Sequence, residues 1–390
     1  MMKVSKMIPR FKPVLGWAEF FALFKFSKGS VKKFEHEFAK KFEAVDAVSF
    51  PYGRSAQWAF FKALGIEGAE VIMPSYTCSV VAHAVSLSGN IPCFVDIDLY
   101  DYNMNLDLAE ALISKRTRAI IATHTFGYPQ NLDRLEKMVE QAEQEFGHKV
   151  WLIQDCCHAF GALWKGRMIG GSGDVAIYAF NISKLMTSIF GGMLTFQDQE
   201  LANKVRNWRD IHYQKPSFLK SCKRRLYLLA VFFAFNSIIY GLVWWLQNRT
   251  PFLNKLTKAY HLDNKIHFPP DYMDGMLNVE ASVGLVQLRK YDEIIQKRVS
   301  KAKWYQENLK RREGWDFPPI VDGATYSHYT VRVPNREQLL KEYAGEKIEL
   351  GEIIQYSIPE LDCYVNSDTE CENATYCCQK TINFPLHNDD

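Results

Sequence analysis

The chain has 390 residues, 47% of them hydrophobic, enough for a sizeable core and for two domains or one large domain with an appendage. A formal charge of +3 is too mild to argue for nucleic acid, and no zinc-finger spacing, Walker motif or GxGxxG loop occurs. Nine cysteines, with adjacent pairs at Cys156-Cys157 and Cys377-Cys378, fit reduced thiols in a cytoplasmic enzyme; the cluster Cys363, Cys371, Cys377 and Cys378 matches no standard zinc pattern, so no metal site is expected.

Residues 1–33 are basic and aromatic: Lys3, Lys6, Arg10 and Lys12 precede Trp17, Phe20, Phe21, Phe24 and Phe26. Glu19 interrupts the apolar run and no small-residue cleavage site follows, so the segment does not read as a signal peptide. It either packs on the main domain or touches lipid as an interfacial segment.

From there, short apolar runs alternate with amphipathic ones. Val31, Phe34, Phe38 and Phe42 at helical spacing predict a helix over Ser30–Phe42. A strand follows at Val45–Phe50, then a helix opening at Gly53-Arg54-Ser55-Ala56 and running through Leu64. Further strands are expected at Val71–Met73, Ile91–Val95, Ala119–Thr123, Trp151–Asp155, Val175–Phe180 and Met193–Phe196. Helices are expected at Val80–Leu87, Leu106–Ile113, Asn131–Phe146 and Asp198–Asp210. This alternation reads as an α/β fold, a largely parallel sheet covered on both faces. His124, at a strand end, reads as a structural histidine.

Next, Lys220, Lys223, Arg224 and Arg225 precede Leu226–Asn248, a stretch without a charge. Tyr227, Tyr240, Trp244 and Trp245 lie toward its ends, and Arg249 and Lys255 follow; by length and flanks it is a membrane-helix candidate. Met276–Tyr291 then runs into a long charged helix through Arg311. From about Gly314 a smaller α/β domain is expected, with a strand at Tyr329–Val333, a helix at Glu337–Tyr343 and a last strand at Thr381–Leu386. The chain thus divides into 1–33, a large domain 34–210, an insertion 211–275, and an interdomain helix with a small domain over 276–390.

Two strand ends carry the chemistry. Trp151–Asp155 ends in an acid and is followed by His158; Val175–Phe180 is followed at once by Lys184, then by Gly191-Gly192. Sites in open α/β sheets collect at the carboxyl ends of strands. A lysine and a carboxylate there suit pyridoxal phosphate, the lysine holding the cofactor covalently and the acid keeping its pyridine nitrogen protonated. A set of motifs in chain order supports this reading: Phe34–Ala39, Gly53–Ala56, Val71–Thr77, Phe94–Asp98, His124–Gly127, Gln154–Ala162, Gly173–Lys184, Gly191-Gly192 and Asn278–Leu288. In these the chain resembles the DegT/DnrJ/EryC1/StrS sugar aminotransferases, a branch of the fold-type I pyridoxal phosphate enzymes. The likeness is close over 34–210 and looser over 276–390.

The resemblance implies a role for each matching position. Lys184 would hold the cofactor and serve as the base that moves the proton. Asp155 would pair with the pyridinium nitrogen, and His158 would sit beside the ring oxygen. Ser55 and Ala56 would take the phosphate, with Arg54 able to add a charge-assisted contact. Asn278 would reach cofactor or substrate across a dimer interface. Three positions depart from the family: Ala179 stands where a phosphate-binding serine is frequent, Cys78 where many members put a stacking aromatic, and Phe190 where an acid is usual; Tyr76 is the lesser substitute for the stacking ring.

The implied reaction moves an amino group from glutamate onto a keto sugar, nucleotide-linked, for surface polysaccharide or glycolipid synthesis, in a cytoplasmic homodimer. The alternatives are a lipid-linked substrate at the membrane, or a non-catalytic relative that binds a sugar nucleotide, against which Lys184 and Asp155 count. The family fold packs 1–210 and 276–390 around one cofactor, so a single crossing by Leu226–Asn248 would separate parts that belong together. The insertion is therefore expected to lie in the membrane interface on the inner face, to break as a re-entrant hairpin near Asn236-Ser237 or Gly241, or to be buried in a protein-protein interface.

Overall fold

The computed structural model describes residues 7–25, 28–249, 265–365 and 369–387; Lys3, Lys6, Phe26 and Lys255 lie outside the described residues. Seven short apolar runs pair into one sheet: β1 (Asp46–Phe50), β2 (Glu70–Pro74), β3 (Ile91–Val95), β4 (Thr117–Thr123) and β5 (Trp151–Asp155), then, past the small hairpin of β6 (Leu163–Trp164) and β7 (Arg167–Met168), β8 (Val175–Ala179) and β9 (Gly192–Phe196). Their order is β1-β9-β8-β5-β4-β2-β3. The five strands from β3 to β8 are mutually parallel; helices cross over from β2 to β3, from β3 to β4 and from β4 to β5, and the β6–β7 hairpin lies between β5 and β8. β9 runs antiparallel to both β8 and β1, and the connection that brings it back from β8 holds no helix.

Successive strand residues feed opposite faces, as the two-residue period requires. Ile120 and Leu152 enter a core with Phe34, Phe38, Leu135 and Tyr178, whereas Ile121 and Ile153 enter a core with Phe60, Phe61, Val85 and Val205. Helices Ser30–Lys41, Leu132–Phe146 and Asn278–Arg289 cover the first face; Gly53–Leu64, Ser79–Leu87 and Gln199–His212 cover the second.

Residues 276–311 form two helices, Asn278–Arg289 and the long charged Tyr291–Asn308, and the chain bends between them at Lys290 (φ −105°, ψ 10°). The bend turns Tyr291 inward onto Phe42 and Phe160, where its hydroxyl donates to the carbonyl of Phe160. Beyond, β10 (Tyr329–Arg332) and β11 (Thr381–Phe384) pair antiparallel over a third core with Leu339, Cys377 and Ile382. A helix over Glu372–Lys380 was not foreseen; its inward positions are Ala374, Cys377 and Cys378, small residues that give a weak apolar signal.

The first segment packs on this body. Glu19, in helix Trp17–Ala22, is fully buried, accepting from Gln287 Nε2 (2.7 Å) and pairing with Lys290 Nζ (2.6 Å). The insertion forms helices Phe218–Ala234 and Ser237–Arg249, bent by 107° at Phe235-Asn236. Among the described residues no single helix is long and apolar enough to cross a membrane.

Candidate active site

A cavity of about 240 Å³ opens at the carboxyl ends of β4, β5 and β8. Parallel register sets Asp155, the last residue of β5, between Thr123 on β4 and Ile177 on β8. The carboxylate is 3% exposed; Thr123 Oγ1 donates to Oδ2 (3.2 Å) and Cys157 N to Oδ1 (3.1 Å). Thr123 follows from the register but carries no motif of its own.

Lys184 reaches the same cavity from the turn after β8. Asn181 builds that turn: its Oδ1 accepts from Ser183 N (3.1 Å) and Oγ (2.7 Å), and its carbonyl accepts from Lys184 N (3.1 Å). Two glycines bring the chain back. Gly191 has φ +144°, and a Cβ there would lie 2.5 Å from Met276 Cε; a Cβ on Gly192 would lie 2.4 Å from the backbone of Tyr52. β9 therefore passes directly against the start of helix Gly53–Leu64. Ala179 lies in the cavity wall, and a Cβ on Gly53 would come within 2.9 Å of its methyl group.

That helix begins without a side-chain cap, which leaves its first amides and the positive end of its dipole for an anion. Gly53, Arg54 and Gln57 line the cavity; Ser55 and Ala56 sit behind them, fully buried. His158 lines the cavity with its ring stacked on Phe126 at 6.0 Å and set edgewise to His328 at 5.3 Å. Burial drives the His158 imidazole well below its ordinary pKa, and Lys184 and His328 add to this; His328 is lowered in the same way by burial, Arg298 and Lys184. Both rings are neutral donors or acceptors. His124 lies buried outside the cavity, its Nδ1 accepting from Gln130 N (3.0 Å) and its Nε2 paired with Gln154 Oε1 (2.8 Å), with burial lowering it to about 4.

Cys78 stands exposed at the rim. Tyr76 is fully buried against Tyr102 and Phe126 instead. The small domain closes this side with Ile353, Ile354 and Tyr356, whose hydroxyl accepts from Ser79 N (2.9 Å). These three lie in an irregular segment with no periodicity to reveal them. Asn278 is exposed at the first turn of its helix and does not line this cavity.

The remaining wall, Tyr52 and Phe190, is held by the insertion. Tyr52 Oη donates to Asp271 Oδ1 (2.7 Å) and accepts from Arg224 Nη2 (2.7 Å). The Arg224 guanidinium lies 3.9 Å from the centre of the Phe190 ring, 3.0 Å from Asp271 Oδ2 and 3.2 Å from Glu280 Oε1. Lys220 completes the cluster on Asp271 (2.8 Å) and Asp274 (3.0 Å). In sequence, Lys220 and Arg224 read only as the basic flank of an apolar run.

The residues fit pyridoxal phosphate. Asp155 offers a buried carboxylate, Lys184 an amine, and the uncapped helix start with Arg54 a phosphate cradle. Two buried polar atoms at the site, Ser55 Oγ and His158 Nδ1, have no hydrogen-bond partner of their own. Among the described residues, no group of three or more His, Cys, Asp or Glu is placed to hold a metal ion.

Residues 25–230 and 257–389 match the DegT/DnrJ/EryC1/StrS aminotransferase family. The chain is 27% identical over 369 residues to the GDP-perosamine synthase of Caulobacter vibrioides, covering 92% of this chain and 85% of that protein. Among solved structures, the sugar aminotransferase CalS13 of Micromonospora echinospora superposes with a TM-score of 0.76 at 19% identity, covering 97% of this chain and 95% of that one. Spr1654 of Streptococcus pneumoniae, solved in a PMP form, gives 0.76 at 21% identity over 98% and 93% of the two chains.

Proposed function

Since the chain belongs to the DegT/DnrJ/EryC1/StrS aminotransferase family and is a pyridoxal phosphate-dependent aminotransferase, we propose that it moves an amino group from glutamate onto a nucleotide-linked keto sugar. The product would serve surface polysaccharide or glycolipid assembly. The observation that carries the reading is the convergence of Asp155 and Lys184, from the ends of neighbouring strands, on one cavity whose far side is an uncapped helix start. The names of relatives, a GDP-perosamine synthase among them, support a sugar acceptor.

When bound, pyridoxal phosphate supplies an electron sink for the carbon that gives up its proton. Asp155 would hold the proton of the ring nitrogen; its two protein hydrogen bonds fix the carboxylate in place. Lys184 would hold the cofactor covalently and, once displaced by the amine of the substrate, carry a proton at its ε-nitrogen. Arg54 and the amides of 53–55 would bind the phosphate, Ser55 Oγ being available to add a bond; Ala56 N donates instead to the Tyr52 carbonyl (3.0 Å) and would only close the cradle. His158, backed by Phe126, would present a neutral face to the ring.

The chain would work as a homodimer on the cytoplasmic side of the membrane, with exposed Asn278 placed for the site of the partner subunit. A lipid-linked acceptor is a second reading, favoured by Arg224, which ties the insertion to two residues of the cavity wall. The test is a panel of keto sugar nucleotides and their lipid-linked counterparts with glutamate as donor, read by amino-sugar formation. Turnover with nucleotide-linked sugars supports the proposal. Turnover confined to lipid-linked sugars moves it to the second reading. A purified protein with no visible absorption band sensitive to borohydride, and no turnover, overturns both.

A further inference from the structure

One surface feature that the cavity leaves unused is aromatic, and two distant segments build it. Trp17 and Phe20 meet Phe232 of helix Phe218–Ala234 at ring-centre distances of 5.8 and 5.6 Å. Arg225 donates to the carbonyl of Leu23, tying the two helices together. On its inner side the longer helix buries Leu228 against Ile189 and Phe190, and points Lys220 and Arg224 at Asp271. On its outer side Leu219, Lys223, Leu226, Ala230 and Phe233 recur in steps of four and three, which is one stripe of a helix, and all five are exposed. Leu226 is 65% exposed and Trp17 67%, with Phe21 and Phe24 exposed beside it.

Apart from buried Glu19, the segments that build this surface and the residues that follow the first of them carry one sign of charge. Lys25, Lys28, Lys32 and Lys33 follow the aromatic helix, all exposed, and Lys223 stands in the stripe itself. Residues 20–34 and 211–249 contain no aspartate or glutamate. Exposed aromatic rings on segments whose exposed charges are all basic are suited to the headgroup region of a bilayer with anionic lipid.

We infer that this face docks on an anionic lipid bilayer, with helix Phe218–Ala234 lying in the plane of the interface. The helix does not cross. Its 17 residues reach about 26 Å, short of the roughly 30 Å hydrocarbon core, and its first half carries Lys220, Lys223, Arg224 and Arg225. A second copy of the chain is the poorer occupant, since a two-fold contact sets a patch against itself and would bring like lysines together. The inference deepens the membrane part of the proposed function and rests on it, while its readout needs no turnover.

The experiment is flotation of the purified full chain with phosphatidylcholine vesicles, with and without phosphatidylglycerol. The expected result is flotation with the anionic vesicles, weakened by about 0.5 M salt. The double variant Trp17→Ala/Phe233→Ser should lower partitioning at least about tenfold, with the cofactor absorption band and the thermal midpoint kept as controls for folding. Flotation that survives the double variant leaves the protein peripheral and overturns this face as the docking site. No flotation with either vesicle overturns both the face and the membrane association. Lack of flotation together with a dimer that the double variant dissociates assigns the face to a second copy. None of these outcomes bears on whether the cavity transaminates.

Discussion

Two of the walls around the cavity are held by different forces. The wall of Thr123, Asp155 and Lys184 hangs on the ladder of β4, β5 and β8, so its groups are placed by backbone register and a short Asn181 turn. The wall of Tyr52 and Phe190 is placed by side-chain charges: Arg224 and Asp271 share the Tyr52 hydroxyl, and Arg224 lies on the Phe190 ring. A wall built on the ladder moves only when the sheet does. A wall built on ion pairs responds to ionisation and to whatever docks on the helix that carries Arg224. On the proposed reading the first wall would supply the reacting groups and the second the shape, so substitutions should separate into losses of rate and losses of fit.

The largest effect belongs to the first wall. Lys184→Ala should abolish turnover and the borohydride-sensitive band while far-ultraviolet circular dichroism stays unchanged, because a half-buried turn residue contributes little to the core. Turnover equal to the wild type would remove Lys184 from the reaction. Asp155→Asn should follow, with kcat down by about two to three orders of magnitude and the cofactor still bound. The amide keeps an acceptor for Cys157 N but cannot hold a ring-nitrogen proton as a carboxylate does. A variant with the wild-type kcat would show that Asp155 pairs elsewhere.

The two walls also differ in how readily the sequence reveals them. Trp151–Asp155 and Val175–Ala179 are five-residue apolar runs with a polar group at or just beyond the end, and the strand end is where an α/β sheet puts its site. The sheet, its helices and the Asp155–Lys184 pair were legible for that reason. Tyr52 and Asp271 are 219 positions apart, and no local pattern couples them. Arg224 had a ready alternative reading as a membrane flank, and Tyr356 sits outside any regular element. The bend at Lys290 was hidden because both helices it joins have helical composition; a buried tyrosine, a tertiary effect, places it.

The second wall gives the next effect in size. Above about pH 7, where Glu280 is ionised, Arg224→Met leaves this nearly fully buried carboxylate without its cation, and should lower stability by about 3 kcal/mol at most. KM for the sugar should rise roughly tenfold with kcat within about twofold, the signature of lost fit. Adding Glu280→Gln should restore most of the stability, since no buried charge is then stranded, but should not restore KM, because Tyr52 still lacks the Arg224 donor. Recovery of both together would mean that Arg224 acts through the fold alone.

The smallest effect is a pH dependence. Burial raises the Glu280 carboxyl from 4.5 to about 7, although Arg224 and the amide of Leu277 pull it back. Asp271 goes the other way: Lys220, Tyr52 and Arg224 outweigh its burial and hold it below 3.8. Between 4.5 and about 7 the folded chain retains the Glu280 proton that the unfolded chain releases. Folding therefore takes up a proton in that window, and stability falls as pH rises through it, by about 3 kcal/mol at most, then levels off. Asp271 works only at the acid end, where its contribution is lost as pH falls below its ordinary value. Thermal midpoints across the Glu280 window should thus decline in the wild type and decline less in Glu280→Gln. Equal slopes in the two proteins would mean that Glu280 stays ionised against Arg224 throughout.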